Sequence, residues 1–154
     1  MGYNRITKGT GLVGSIGFNS GIITRSEIIV LSAAQILAMF ATPVTIVAAP
    51  AAGKGLIVTY LALIMTPTAT QFASGGAVTF QYSGGAVVHA SSIPASVINA
   101  APGVTVTLLA PNTQANGVTV PAATAVTMTN ATGAFTTGTG TAKVVIGYDL
   151  VPAA

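Results

Sequence analysis

The sequence predicts an all-β protein: an antiparallel β-sandwich, jelly-roll-like, with an extended N-terminal arm and one or two short helical turns. Three observations carry that prediction. Short β-branched or alternating runs recur along the 154 residues, each bounded by Gly, Pro or Asn, as expected of many short strands joined by turns in an antiparallel sandwich, jelly roll or small barrel. No 3.6-residue apolar period lasts long enough for a long helix. Charged residues make up 5% of the chain beside 51% hydrophobic ones, whereas an ordinary soluble domain carries about a quarter of its residues as charges.

Taken in order, residues 1–24 hold six glycines and no sustained periodicity, so they read as an extended arm. Residues 25–154 read as a single domain. Residues 27–31 are a β-branched first strand. Ser32 and Gln35 then fit a capping box, in which the Ser hydroxyl caps a helical N–H and the Gln side chain reaches back, opening a short helix that ends at Thr42-Pro43. Strands follow at 44–48 and 56–65, separated by the turn at 50–55. Residues 77–82 alternate apolar and polar, Ser83-Gly84-Gly85 turns, and 86–89 returns, giving the clearest hairpin in the chain. Pro94 stands at a first helical position and suggests a second helical turn. Alternation resumes at 104–109, 118–120, 126–129 and 142–151, with loops at 111–117 and 132–141.

Composition excludes several functions. With no cysteine there is no disulfide, thiolate nucleophile or thiolate metal site, and one histidine with two carboxylates leaves little for catalysis or hard cations. The chain is therefore expected to be neither an enzyme nor a cofactor carrier. The net charge of +3 comes from scattered cations, which argues against direct nucleic-acid binding. Long uncharged stretches invite a membrane reading, but a spanning helix needs about 20 apolar residues, and here Pro43, Pro50 and the 53–55 turn interrupt them; the most apolar run, 56–65, is ten residues long. Nine aromatics are thin for an outer-membrane barrel. The glycine-broken start does not resemble a secretory signal.

Individual motifs have ordinary explanations. Residues 9–14 satisfy G-x-G-x-x-G, but no strand precedes them and no acid stands where a ribose would need it, so they read as part of the arm. Ala52-Gly53-Lys54-Gly55 resembles the end of a phosphate loop without its Ser or Thr, and reads as a tight turn with an exposed lysine. His89 would have to serve any catalytic arrangement with Glu27 or Asp149, and reads instead as a surface or interface histidine. Asn130-Ala131-Thr132 spells a glycosylation acceptor that matters only on a secretory route. Tyr60, Tyr82 and Tyr148 read as half-buried strand tyrosines.

What remains is a surface of Thr, Ser, Asn, Gln, Gly and Ala. Uncharged β-strands pair at their edges unless covered, and an apolar surface without charge is poorly suited to a free monomer. Association into a symmetric oligomer on a larger assembly resolves both problems.

The stretch Ile36-Leu37 through Thr42-Pro43-Val44-Thr45-Ile46-Val47-Ala48-Ala49-Pro50-Ala51-Ala52-Gly53-Lys54 resembles the opening of small virion proteins of tailed bacteriophages. The glycine hairpin at 82–88, Ile93-Pro94-Ala95 and the alternating strand 144–148 occupy the places that follow in those proteins. The resemblance covers about residues 31–150. It implies a head decoration or cement protein on the capsid surface of a virion, made in the bacterial host cytoplasm. It also implies a jelly-roll homo-oligomer, expected as a trimer, with the major capsid protein as partner and no catalytic residues. Three of the five cations, Arg5, Lys8 and Arg25, precede residue 26; with Tyr3 they are the expected capsid contacts. The alternative is a receptor-binding or adhesive module that recognises carbohydrate through its tyrosines and the loops at 111–117 and 132–141.

Overall fold

The computed structural model describes residues 23–85, 88, 92–109, 120–130 and 132–153. In chain order these form β1 (Ile23–Ser32), α1 (Ala33–Ala38), β2 (Val44–Val47), β3 (Lys54–Pro67), β4 (Val78–Tyr82), α2 (Ala95–Ile98), β5 (Thr105–Leu109), β6 (Val126–Asn130) and β7 (Gly140–Pro152). The strands build two antiparallel sheets, a four-stranded one ordered β1-β7-β3-β5 and a three-stranded one ordered β2-β6-β4. The class is all-β, as the turn-punctuated sequence predicts.

The path between the sheets is informative. The chain crosses from one sheet to the other at each of the steps β1 to β2, β2 to β3 and β3 to β4, and again from β5 to β6 to β7. Between β4 and β5 it first turns back along the free edge of β4 and then crosses to the four-stranded sheet. Along that edge Val88 N–H donates to Phe80 O (2.9 Å), and Ile93 and Val78 exchange backbone bonds of 2.9 and 2.8 Å. One hairpin within a sheet, with crossings everywhere else, is the path of a jelly roll. Gly84 and Gly85 take φ of +117° and +103° in that hairpin turn, a region open to glycine and costly for other residues.

The core lies between the sheets and is one cluster. Ala142, Val144, Ile146 and Tyr148 of β7 are buried, as are Val78, Phe80 and Tyr82 of β4 and Val126 and Met128 of β6. Tyr82 ties the layers together, its hydroxyl donating to the backbone oxygen of Leu56 on β3 at 2.5 Å. The long strand β3 changes its facing part-way. Its register with β7 passes from Val58↔Tyr148 to Tyr60↔Gly147, leaving Thr59 as the extra residue of a bulge. Leu56 and Val58 face inward before the bulge; Leu61, Leu63 and Met65 do so after it. The mostly apolar run at 56–65 is thus two half-patterns of opposite parity that meet at Thr59.

Local signals account for the helices. Ser32 caps α1 and Gln35 completes the capping box, its Oε1 accepting from Ser32 N at 2.9 Å. The helix starts at Ala33, earlier than its apolar residues alone suggest, because the cap sets its start. Pro94 is the N-cap of the single-turn α2 rather than its first residue. β1 opens at Ile23, two residues inside the expected arm, and residues 1–22 lie outside the described ones, as do residues 118–119 of the expected strand 118–120.

Candidate interaction surface

Strand register lays out the outer side of the four-stranded sheet in rows. Ile28, Val145, Ala62 and Leu108 stand side by side across all four strands, and Val30, Lys143, Ile64 and Val106 form the next row. Of the eight large hydrophobic side chains exposed among the described residues, Phe40 stands apart after α1; Ile28, Val30, Ile57, Tyr60, Val106 and Leu108 are on this outer side, and Val104 directly precedes β5. Their exposure is substantial: 66% for Ile28, 67% for Leu108 and 69% for Val104.

β5 is the sharpest instance. Its pairing sets Thr105 opposite Met65 and Thr107 opposite Leu63, both core residues, so the threonines face inward and Val106 and Leu108 face outward. A slip of one residue in register would exchange the two faces and bury the larger side chains. The strand instead keeps Val106 and Leu108 on the outside and sends Leu109, opposite Leu61, into the core. β1 does something similar. Ile29 and Leu31 pack toward the core while Ile28 and Val30 point away, so the run is apolar on both faces, the composition of a strand buried on both sides. The outer side of the three-stranded sheet is different in kind: Thr45, Thr127 and Gln81 form one row, and Thr129 stands beside Thr79.

A second feature is a groove of about 430 Å³ at one end of the sandwich, where Arg25, Glu27, Lys54 and Tyr148 meet residues 47–51. Arg25 and Glu27 lie on the core-facing side of β1, opposite Tyr148 and Ile146, but beyond the cover of the second sheet, and both are exposed. Tyr148 donates its hydroxyl to Glu27 Oε1 at 2.5 Å. Burial pushes the Tyr148 phenol above its ordinary value, and the hydrogen bond and charge of Glu27 push it further, while Arg25 pulls the other way. Lys54 opens β3 and is half-buried on the groove wall, not the exposed turn lysine expected; the turn before it is closed by Lys54 N–H donating to Ala51 O at 3.1 Å.

Of the four expected capsid contacts, the structure places Arg25, on the groove. Tyr3, Arg5 and Lys8 lie outside the described residues, as do His89, the G-x-G-x-x-G stretch at 9–14 and the loop 111–117. Tyr82 and Tyr148 are buried more fully than half-buried strand residues, and Tyr60 is the exposed one. Asn130 is a structural residue: it is buried, and its Oδ1 accepts from Gly76 N (3.2 Å) and Thr132 N (3.3 Å). The loop 132–141 is stitched along residues 68–74. Backbone bonds join Thr136 to Ala73 (3.0 Å) and Thr139 to Thr70 (2.9 Å), and buried Phe135 meets Phe72 edge-on at 6.4 Å. No group of three or more His, Asp or Glu able to hold a metal occurs among the described residues. No helix among them is long and apolar enough to cross a membrane.

Comparison with family models, curated proteins and solved structures finds no match. The functional reading therefore rests on the chain's own surfaces. Sequence reasoning singled out charges and loops and passed over the outward apolar face. The signals for it are the unbroken apolar run 28–31 and the two-faced alternation of 104–109.

Proposed function

We propose that this chain is a structural virion protein of a tailed bacteriophage that binds the outside of the capsid as a symmetric homo-oligomer and cements neighbouring major capsid subunits. The observation that carries the reading is the outward apolar face of the four-stranded sheet, displayed by a β5 register that turns valine and leucine away from the core. A contiguous apolar patch of this kind is a surface made to be covered. The jelly-roll path and the poverty of charge support the same reading. So does the resemblance of residues 31–150 to small virion proteins, which implies three copies per oligomer.

The protein acts by binding. Each copy would add contacts between shell subunits, and the outward pressure of packaged DNA would then have to break those contacts before the shell yields. Arg25, which follows in sequence the segment that carries Arg5 and Lys8, marks the end of the domain expected to face the shell. The test is co-sedimentation of the full-length protein with expanded capsids that lack it, followed by heating. Saturable binding and a higher temperature of capsid rupture are expected. Absence of binding, or binding that leaves rupture unchanged, would overturn the proposal.

A further inference from the structure

The outer face of the four-stranded sheet also bears on what covers it, an inference that rests on reading the chain as a protein that works by association. Size is the first argument. The exposed fractions of its six large hydrophobic residues, together with Val104 directly before β5, correspond to roughly 700 Å², above the 300–600 Å² of the largest patch on a typical monomer and near the 800 Å² that each partner contributes to a standard interface. Composition is the second. Across the rows that carry the patch the charged side chains are Lys143 and Asp149, and Lys143 alone stands in the two central rows of eight residues. Interfaces between identical copies are the apolar ones, whereas transient interfaces are about as polar as the rest of the surface. The third argument is the counter-surface. The other sheet's outer side is threonine and glutamine, so among the described residues the apolar surface of matching extent is the same face on another copy.

We propose that two copies pack this face against itself, sheet on sheet about a two-fold axis, with Ile28, Val30, Val106 and Leu108 buried between them. Facing sheets sit about 10 Å apart, so side chains from both copies interdigitate as they do in the core of a sandwich. A two-fold contact is self-complementary and closes at the pair, which prevents such an apolar face from building open chains of molecules. Lys143 fits the arrangement. The row beyond it on the same side is Ser32, Thr141 and Thr66, and a lysine stem can lie along apolar surface while its ammonium reaches polar ground. The pairing leaves the groove end, with Arg25, free for a different partner. It departs from the three copies implied by the resemblance, and the measured mass decides between them.

The experiment is sedimentation velocity on the full-length protein over a concentration series, with thermal melts of the same samples. Wild type is expected to sediment as a dimer. Leu108→Lys is expected to weaken the pair by at least about 100-fold, because a charge buried without a partner costs several kcal/mol. Thr79→Lys, on the opposite outer side, is expected to leave the dimer unchanged. Should Leu108→Lys fail to melt cooperatively, Val106→Thr, which keeps shape and removes apolar surface, serves in its place with a smaller shift toward monomer. A monomeric wild type, a trimer, or a dimer indifferent to both face substitutions would overturn the pairing. Capsid co-sedimentation of the same variants separates the two proposals. Loss of the dimer on Leu108→Lys supports the pairing whether or not capsids are bound, while capsid binding by a wild-type monomer would leave the virion reading standing without it.

Discussion

Tyr82→Phe probes the joint between the two layers with the loss of one oxygen. The Tyr82 ring is buried, and its hydroxyl donates to Leu56 O across the core. Phenylalanine keeps the ring and its packing, so the cost is the lost hydrogen bond together with a buried carbonyl deprived of one donor. A neutral hydrogen bond contributes about 1 kcal/mol, and leaving a buried partner short raises the cost to about 1–2 kcal/mol. In a domain of this length that corresponds to a fall in melting temperature of about 2–8 °C. A pH dependence should accompany it. Burial raises the Tyr82 phenol above its ordinary value, so folding favours the protonated form. That contribution is fully present below the unfolded value of about 10 and is lost as pH rises through the higher folded value. Wild type should therefore lose stability at alkaline pH more steeply than Tyr82→Phe, and the gap between them should narrow above about pH 10. Melts by circular dichroism from pH 7 upward measure both effects. A variant that melts with wild type at neutral pH and follows the same alkaline profile would refute the role given to this hydroxyl.

Other perturbations test the assignments around it. Leu61→Ala, on the inward side of β3 after the bulge, should cost about 2–5 kcal/mol in chemical denaturation, whereas Leu108→Ala, outward on β5, should change the stability of the isolated protomer by less than about 0.5 kcal/mol; equal effects would contradict the facing of these strands. Asn130→Ala should cost about 2–4 kcal/mol, since it strands the N–H groups of Gly76 and Thr132, and a neutral result in a urea titration would remove its structural role. Gly138→Ala should lower the melting temperature, because Gly138 sits at φ +138° and a Cβ there would lie 2.2 Å from the Phe72 ring; strain at such a backbone position costs about 1–3 kcal/mol.

Local chemistry in the sequence carried some elements and was silent on others. The cap at Ser32 and Gln35, the glycine turn at 83–85 and the alternation of 78–82 each specify their own conformation within a few residues, and all three are as the sequence reads. Facing depends on more distant partners. The parity switch in β3 arises where Tyr60 meets Gly147 on β7, and a Cβ at Gly147 would lie 3.3 Å from that of Tyr60; nothing near Thr59 announces it. Alternation in 104–109 separates two faces but does not say which one is covered, and the rule that apolar residues point inward fails for Val106 and Leu108 while Leu109 obeys it. The groove joins residues 25, 27, 54 and 148, brought together by pairing across β1, β7 and β3, so its members look unrelated along the chain. Low charge was the legible signal of an apolar surface, and the register of β5 and β1 locates that surface on the outer side of one sheet.

The central claim, that this chain works by being covered in an assembly on a capsid, is tested most directly by a cryo-electron map of the virion that carries it. The account predicts density for the jelly roll at regular symmetry-related positions outside the shell, with the outer side of the β1-β7-β3-β5 sheet buried against protein and the Arg25 end toward the major capsid subunits. Density confined to a tail or fibre, or copies on the shell with that sheet open to solvent, would contradict it.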